Sequence, residues 1–289
     1  MAILHHLSGA ALLGALALSG CSQMTDAEKN ADLGGINAID ATDLNDLVLT
    51  FADPAESVEH FRSLLAAEPT NPEYQRGFAA SLSKSNRHDE ATIAWKTLVE
   101  SGAASSDDRV AYAESLVRSD KWEDARRELD AVPPTYETYE RYLLEALMAD
   151  RAKAWEKSDA FYANARGLTT RPASVLNNWG ISNLARGNFQ RAEDLFLESI
   201  TFDDKLFNPK NNLVISRGKQ GNYRLPIMSM TSTEKAQLLY NLGLEAVRNG
   251  DINEAKGLFS EALETHPQFF EAADAALKSL DTSITVNDA

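Results

Sequence analysis

Two stretches of this chain read alike. From Ser174 to Asp203 an apolar-periodic segment runs into Gly187-Asn188-Phe189 and then Ala192-Glu-Asp-Leu-Phe196. From Gln237 to Pro267, the run Leu238-Leu-Tyr-Asn-Leu-Gly-Leu244 is followed by Gly250-Asp251-Ile252, then Ala255, Phe259, Ala262-Leu263 and Pro267. Self-similarity at a period of 20–50 residues constrains a chain more than composition does, because each unit buries its apolar face only against its neighbours. Small residues carry the register along the chain: Ala79 and Ala91, Ala113 and Ala125, Ala146 and Ser158, Gly180 and Ala192, Gly243 and Ala255. Units then begin near Pro72, Ser106, Tyr139, Ala173 and Ala236. A small side chain is needed at each place because paired helices that cross at about 8–10 Å leave no room for a large one.

The spacing resembles the tetratricopeptide repeat, with a period of about 34 residues, small residues in both helices and a proline after the second. The expected fold is all-α: a solenoid of helical hairpins over residues 52–280. Ala52–Glu68 is expected as a lone second helix, with Phe61 and Leu64 in its core and Pro69 closing it. Phe270–Leu280 is expected to cap the open end, and 281–289 to be a disordered tail. Trp122, Trp155 and Phe189, each just after a turn, are expected to fill the space between hairpins.

One unit breaks the register. Phe207 to Tyr223 reads as a first helix and a turn, Lys219-Gln-Gly-Asn-Tyr223, but the residues that follow include Pro226, which disfavours helix there and at Leu225. Residues 224–233 are therefore expected to form a non-helical strap, in which Leu225, Ile227, Met228 and Met230 either cover the core left by the missing helix or shape or occupy a binding groove, with Ser232 or Thr233 capping the next helix. In the tetratricopeptide pattern the sixth place of each first helix faces the inner surface and is often Asn, and the fifth place neighbours it. Here they hold Asn177 and Asn178, Asn211 and Asn212, then Tyr240 and Asn241. Asparagine both donates and accepts, so such a ladder can pair with an extended peptide backbone. Lys219 and Arg248 recur at one later place and are expected to meet an acidic group. These eight residues form the candidate protein-binding groove.

The first twenty residues contain no acidic residue, Lys or Arg, and the apolar run Leu7–Leu18 is shorter than the ~20 residues of a membrane span. Its length suits a signal peptide over 1–20. Leu18-Ser-Gly-Cys21 resembles the bacterial lipobox, and Cys21 is the chain's single cysteine, so the expected lipidation site is Cys21. His5 and His6 stand where such signals usually carry Lys or Arg. Residues 21–51 read as a lipidated N-terminus and flexible tether, with a short helix near Asp43 to Phe51. In lipoproteins of this class, Ser at the place of Ser22 implies the outer membrane.

The chain is 44% apolar, ample for a packed core, while 43 acidic against 28 basic side chains give a net charge of -15. Such a surface repels phosphate backbones, which excludes nucleic acid as the natural partner. No Gly-rich phosphate loop, nucleophile elbow or metal-spaced histidine cluster is present, so neither catalysis nor a cofactor is expected.

Leu176-Asn-Asn-Trp-Gly180, Asn211-Asn212 and Gly221-Asn-Tyr-Arg-Leu-Pro226, taken with the lipobox and the repeats, are similar to the TadD-like tetratricopeptide lipoproteins of the tight-adherence (Flp) pilus assembly system. The resemblance implies an outer-membrane lipoprotein facing the periplasm that helps a pilus secretin localise or assemble through protein contacts. The alternative is a general lipoprotein scaffold for cell-envelope enzymes, of peptidoglycan or of outer-membrane protein assembly.

Overall fold

The computed structural model describes residues 40–287, with side chains from 44 to 281. Cys21 and the expected signal lie outside the described residues. The described chain is helical: α1 (Asp40–Phe51), α2 (Pro54–Ala67), α3 (Pro72–Lys84), α4 (His88–Glu100), α5 (Ser106–Arg118), α6 (Trp122–Asp130) and α7 (Tyr139–Arg151), followed by α8 (Trp155–Gly167), α9 (Ala173–Ala185), α10 (Phe189–Phe202), α11 (Phe207–Lys219), α12 (Ser232–Asn249), α13 (Ile252–Thr265) and α14 (Glu271–Asn287). Successive helices pack as hairpins, and the first helices α3 and α5, α5 and α7, and α9 and α11 also touch, lining one face of the stack.

Local chemistry sets the boundaries. Asn71 caps α3 through the Glu73 and Tyr74 amides, with Pro72 at its first turn; Ser105 and Asp108 close a capping box on α5. Pro133 and Pro134 follow directly on the short α6 and cannot continue a helix. Each hairpin turn places one residue in the left-handed region: Asn86, Asp120, Lys153, Gly187, Gly221 and Gly250. A turn that tight needs a positive φ, which glycine adopts freely and Lys153, at φ 56°, does not.

The small residues sit where the helices cross. Ala79, Ala91, Ala113, Ala125, Ala146, Ser158, Ala192 and Ala255 have no exposed surface. At Gly180 and Gly243 a Cβ would stand 2.4 and 2.5 Å from the Phe196 and Phe259 rings. Gly77, at the sixth place of its helix, is held to glycine by the Phe61 ring of α2.

Several expectations need correction. The second helix α2 is not alone, because α1 packs beside it and on α3: Ser57 Oγ donates to the Val48 carbonyl at 3.0 Å, and His60 Nε2 lies 3.0 Å from Asn45 Oδ1. The short helix expected near Asp43 to Phe51 is present and starts at Asp40. At the other end α14 continues past Leu280 to Asn287. Trp122 and Trp155 are half-buried, each stacked under an arginine of the next hairpin, Arg151 at 4.7 Å and Arg186 at 5.3 Å.

Residues 222–231 form the strap. Leu225, Met228 and Met230 pack against the C-terminal core and Pro226 is buried. Ile227 does not join them: it stands at a bend in the strap and is 108% exposed. The helix after the strap starts at Ser232, before Ala236, and its cap is Thr231, in a capping box with Glu234.

Candidate protein-binding face

The fifth and sixth places of α9, α11 and α12 are brought together, and the asparagines there bond to one another. Asn212 Nδ2 donates to Asn177 Oδ1 at 3.0 Å, and Asn241 Nδ2 donates to Asn211 Oδ1. Gln237 Nε2 in turn donates to Asn241 Oδ1 at 3.2 Å. These amides are half-buried, so the ladder runs between hairpins as a structural seam and is not the open row expected from the sequence. Asn178 makes no side-chain hydrogen bond among the described residues and keeps its amide available. Tyr240 leaves the row, for its ring packs 5.6 Å from Phe259 and 5.3 Å from Phe270 in the C-terminal core.

Lys219 and Arg248 do meet an acidic group, but the chain supplies it. Both pair with Glu245 of α12, Lys219 Nζ at 3.6 Å, and Glu245 is only 1% exposed. Gly218 makes this possible, since a Cβ there would lie 2.6 Å from the Glu245 Cβ. Asn249 Nδ2 closes the same corner, donating to the Gly218 carbonyl and to Tyr223 Oη, each at 2.8 Å. Sequence reasoning missed Glu245. Its signal is an acid next to Leu242 and Ala246 on an otherwise apolar helix face, opposite a glycine.

Lys210 was missed too. It is 2% exposed, and its Nζ lies 3.3 Å from Glu234 Oε1. The Thr231 amide, and Lys210 beside it, hold the Glu234 carboxyl below its usual value against the opposing pull of burial. Further along the stack, Arg186 grips Asp159 with both terminal nitrogens, at 2.8 and 2.5 Å, and Trp179 Nε1 donates to the same carboxylate at 2.6 Å. Burial raises the Asp159 pKa, but these donors outweigh it and leave it lowered. Asp150 joins three helices, accepting from Ser158, from Tyr162 at 2.9 Å and from Ser182 at 2.6 Å. Burial, and then the Asp150 charge, raise the Tyr162 phenol far above its ordinary range.

What this arrangement offers chemically is hydrogen bonding and packing. Among the described residues no group of His, Cys, Asp or Glu side chains is placed to hold a metal ion, and no helix is long and apolar enough to cross a membrane.

No protein-family model matches the chain, and no curated protein matches it. Solved structures do share its backbone. A tetratricopeptide repeat protein from Parabacteroides merdae ATCC 43184 aligns with 82% of this chain and 96% of its own, at TM-score 0.53 and 13% identity. In the crystal structure of the APC/C hetero-tetramer Cut9-Hcn1, the match covers 87% of this chain at TM-score 0.60 and 14% identity. This chain spans about half of that neighbour, 51% of its length. A structure described as the functional characterization of Pseudomonas aeruginosa pilF covers 73% of this chain and 97% of its own, at TM-score 0.50 and 12% identity. Likeness at these identities shows the fold alone, a tetratricopeptide-type solenoid.

Proposed function

We propose that this tetratricopeptide-type solenoid is a non-catalytic interaction scaffold, held by lipid at Cys21 to the outer membrane and facing the periplasm, where it assists secretin localisation or assembly for a Flp/Tad pilus. The observation that carries a binding role is the amide-lined face of α9, α11 and α12, where Asn178 makes no side-chain hydrogen bond among the described residues and Asn177, Asn211 and Asn212 each make one. An asparagine amide has more donor and acceptor capacity than one such bond uses, so an extended backbone can add to the row without dismantling it. Lys219 and Arg248 frame the far end, where Glu245 offsets one of their two charges and leaves a net positive charge. The pilus assignment rests on the resemblance of Leu176–Gly180, Asn211-Asn212 and Gly221–Pro226 to the TadD-like lipoproteins.

Affinity capture of the tagged lipoprotein from gently cross-linked membranes tests the reading. Enrichment of a secretin, reduced by Asn178→Ala, supports it. Enrichment of peptidoglycan enzymes without a secretin would replace it with the general envelope-scaffold reading. Cys21→Ser tests the anchor, with the expected outcome that the chain leaves the membrane fraction or stays uncleaved; palmitate labelling of that variant would sink the lipobox assignment.

A further inference from the structure

The later first helices repeat one stripe. In α9 it is Asn178, Ile181 and Ala185, in α11 Asn212, Ile215 and Lys219, and in α12 Asn241, Leu244 and Arg248. Residues spaced i, i+3 and i+7 share one face of a helix. The bonds from Asn212 to Asn177 and from Asn241 to Asn211 set the three helices side by side in register. The asparagine row is therefore followed, one turn on, by an apolar row, Ile181, Ile215 and Leu244. A further turn on comes a row that ends in two cations.

The apolar row keeps surface in contact with water. Ile181 is 43% exposed and Ile215 is half-buried, as is Leu244, which also packs against the C-terminal core. The charge beside it is positive, in a chain of net charge -15. The only acids of α9, α11 and α12 are Glu234 and Glu245. Glu234 lies at the opposite end, engaged by Lys210 and the Thr231 amide. Arg217 and Lys235 turn to Glu193 and Glu261 of the second helices. What remains beside the row is Lys219 and Arg248 against the single carboxylate of Glu245. Asp251, in the turn beyond, accepts from Tyr223. The spacing is set as well: packed helices stand about 8–10 Å apart, which a polyproline II chain covers in one turn of three residues at about 3.1 Å each.

We propose that the partner segment on this face carries an apolar side chain at every third position, seated on Ile181, Ile215 and Leu244, with carboxylates beside them that meet Lys219 and Arg248. The proposal rests on the binding reading of the asparagine face and adds which side chains the partner presents. The three rows then divide the work: amides take the backbone, the apolar row takes every third side chain, and the cations fix direction and sign. A basic segment would meet like charge, and a wholly polar one would leave the apolar row in water.

The test titrates the full chain, followed by NMR, with three nine-residue peptides: three repeats each of Leu-Pro-Glu, Leu-Pro-Lys and Ser-Pro-Glu. Proline presets the extended geometry and keeps the spacing at three. Saturable binding of the Leu-Pro-Glu peptide that shifts the Asn178, Asn212 and Asn241 side-chain amides is expected, with each of the others weaker by about tenfold or more. Ile215→Ser, at a half-exposed place, is expected to weaken the Leu-Pro-Glu peptide and leave the Ser-Pro-Glu peptide unchanged. Arg248→Gln removes a cation whose side chain is 63% exposed and leaves Lys219 to pair with Glu245. It is expected to erase most of the preference for Glu over Lys. Equal binding of the three peptides, or preference for either control, would overturn the proposal while the binding reading stands. Absence of binding by all three would also overturn it. If secretin capture were then still reduced by Asn178→Ala, the binding reading would survive; if capture were unaffected, both would fall.

Discussion

Gly218 and Glu245 face each other so closely across α11 and α12 that a Cβ on the glycine would lie 2.6 Å from one side-chain carbon of the glutamate and 2.9 Å from the next. The nearer of the two is the Cβ, fixed to the α12 backbone, so a torsion change cannot move it aside. Gly218→Ala is expected to cost about 1–3 kcal/mol, the range for overpacked sites. Gly167→Ala, at a helical glycine with nothing within 4 Å, is the control, and is expected to be neutral or stabilising by up to about 1 kcal/mol. Urea denaturation of the two variants measures the contrast.

Asn212 and Asn178 separate structure from binding. Asn212→Ala leaves Asn177 Oδ1 without its donor and is expected to cost about 0.5–1.5 kcal/mol. Asn178→Ala removes no bond and is expected to stay within about 0.5 kcal/mol of the parent. Equal losses in both variants, measured by thermal and urea unfolding, would remove the distinction between seam and binding surface.

Lys153 occupies the turn place where later hairpins have Gly187, Gly221 and Gly250. Its backbone bonds, from its own amide to the Asp150 carbonyl at 2.9 Å and from the Ala154 amide to Ala149 at 2.8 Å, fix the left-handed geometry. Lys153→Gly keeps both and relieves the Cβ. It is expected to stabilise the chain by about 1 kcal/mol or slightly less, because the added freedom of the unfolded glycine offsets part of the gain. A fall in the denaturation midpoint would contradict this.

Arg76 and Asp108 set a pH dependence. Arg76 Nε and Nη2 reach the two Asp108 oxygens at 2.8 and 2.9 Å, and Asp108 also accepts from the Ser105 amide and hydroxyl. Burial raises the Asp108 pKa, but the Arg76 and Ser105 bonds outweigh it and hold the group below its ordinary 3.8. A carboxyl with a depressed folded pKa stabilises the fold above its ordinary pKa, and that contribution is lost as pH falls through the folded value. Asp108→Asn is therefore expected to lower Tm at pH 7 and to flatten the loss of Tm below about pH 4. An unchanged acid slope would place the titration elsewhere.

The strap gives a paired expectation. Leu225→Ala removes a side chain packed on the C-terminal core, and is expected to cost about 1–2 kcal/mol, less than a fully buried leucine because Leu225 is half-exposed. Ile227→Ser changes a fully exposed residue and is expected to be neutral. Denaturation midpoints decide it.

The helix starts at Pro72, Ser106, Tyr139 and Ala173 were legible because small residues, caps and turn residues recur together there. The interruption after Tyr223 was legible because Pro226 forbids what the period demands. The cap at Thr231 was misplaced because three consecutive hydroxyl residues, Thr231, Ser232 and Thr233, all read as caps, and the capping box with Glu234 selects the first. The asparagine row was legible as a row but not as a set of mutual bonds. Side chains on successive first helices meet only when the hairpins stack, and no local pattern records that distance. Glu245 stayed hidden for the same reason, since its partners Lys219 and Gly218 lie across the strap.

The missing second helix beside α11 also decides how the molecule comes apart. In a stack, coupling passes through neighbouring interfaces in series, and the weakest one sets where cooperative units divide. Elsewhere in the stack those interfaces are helix against helix. Beside α11 a non-helical segment stands in, half-exposed; Val214 of α11 still joins the apolar C-terminal core, and crossings such as Lys210 to Glu234, Lys219 to Glu245 and Asn249 to the Gly218 carbonyl are polar. Once opened, those groups find water as an alternative partner, which a severed apolar face does not. Amide exchange should therefore reach the strap, whose backbone lies outside any helix, before it reaches the helices on either side.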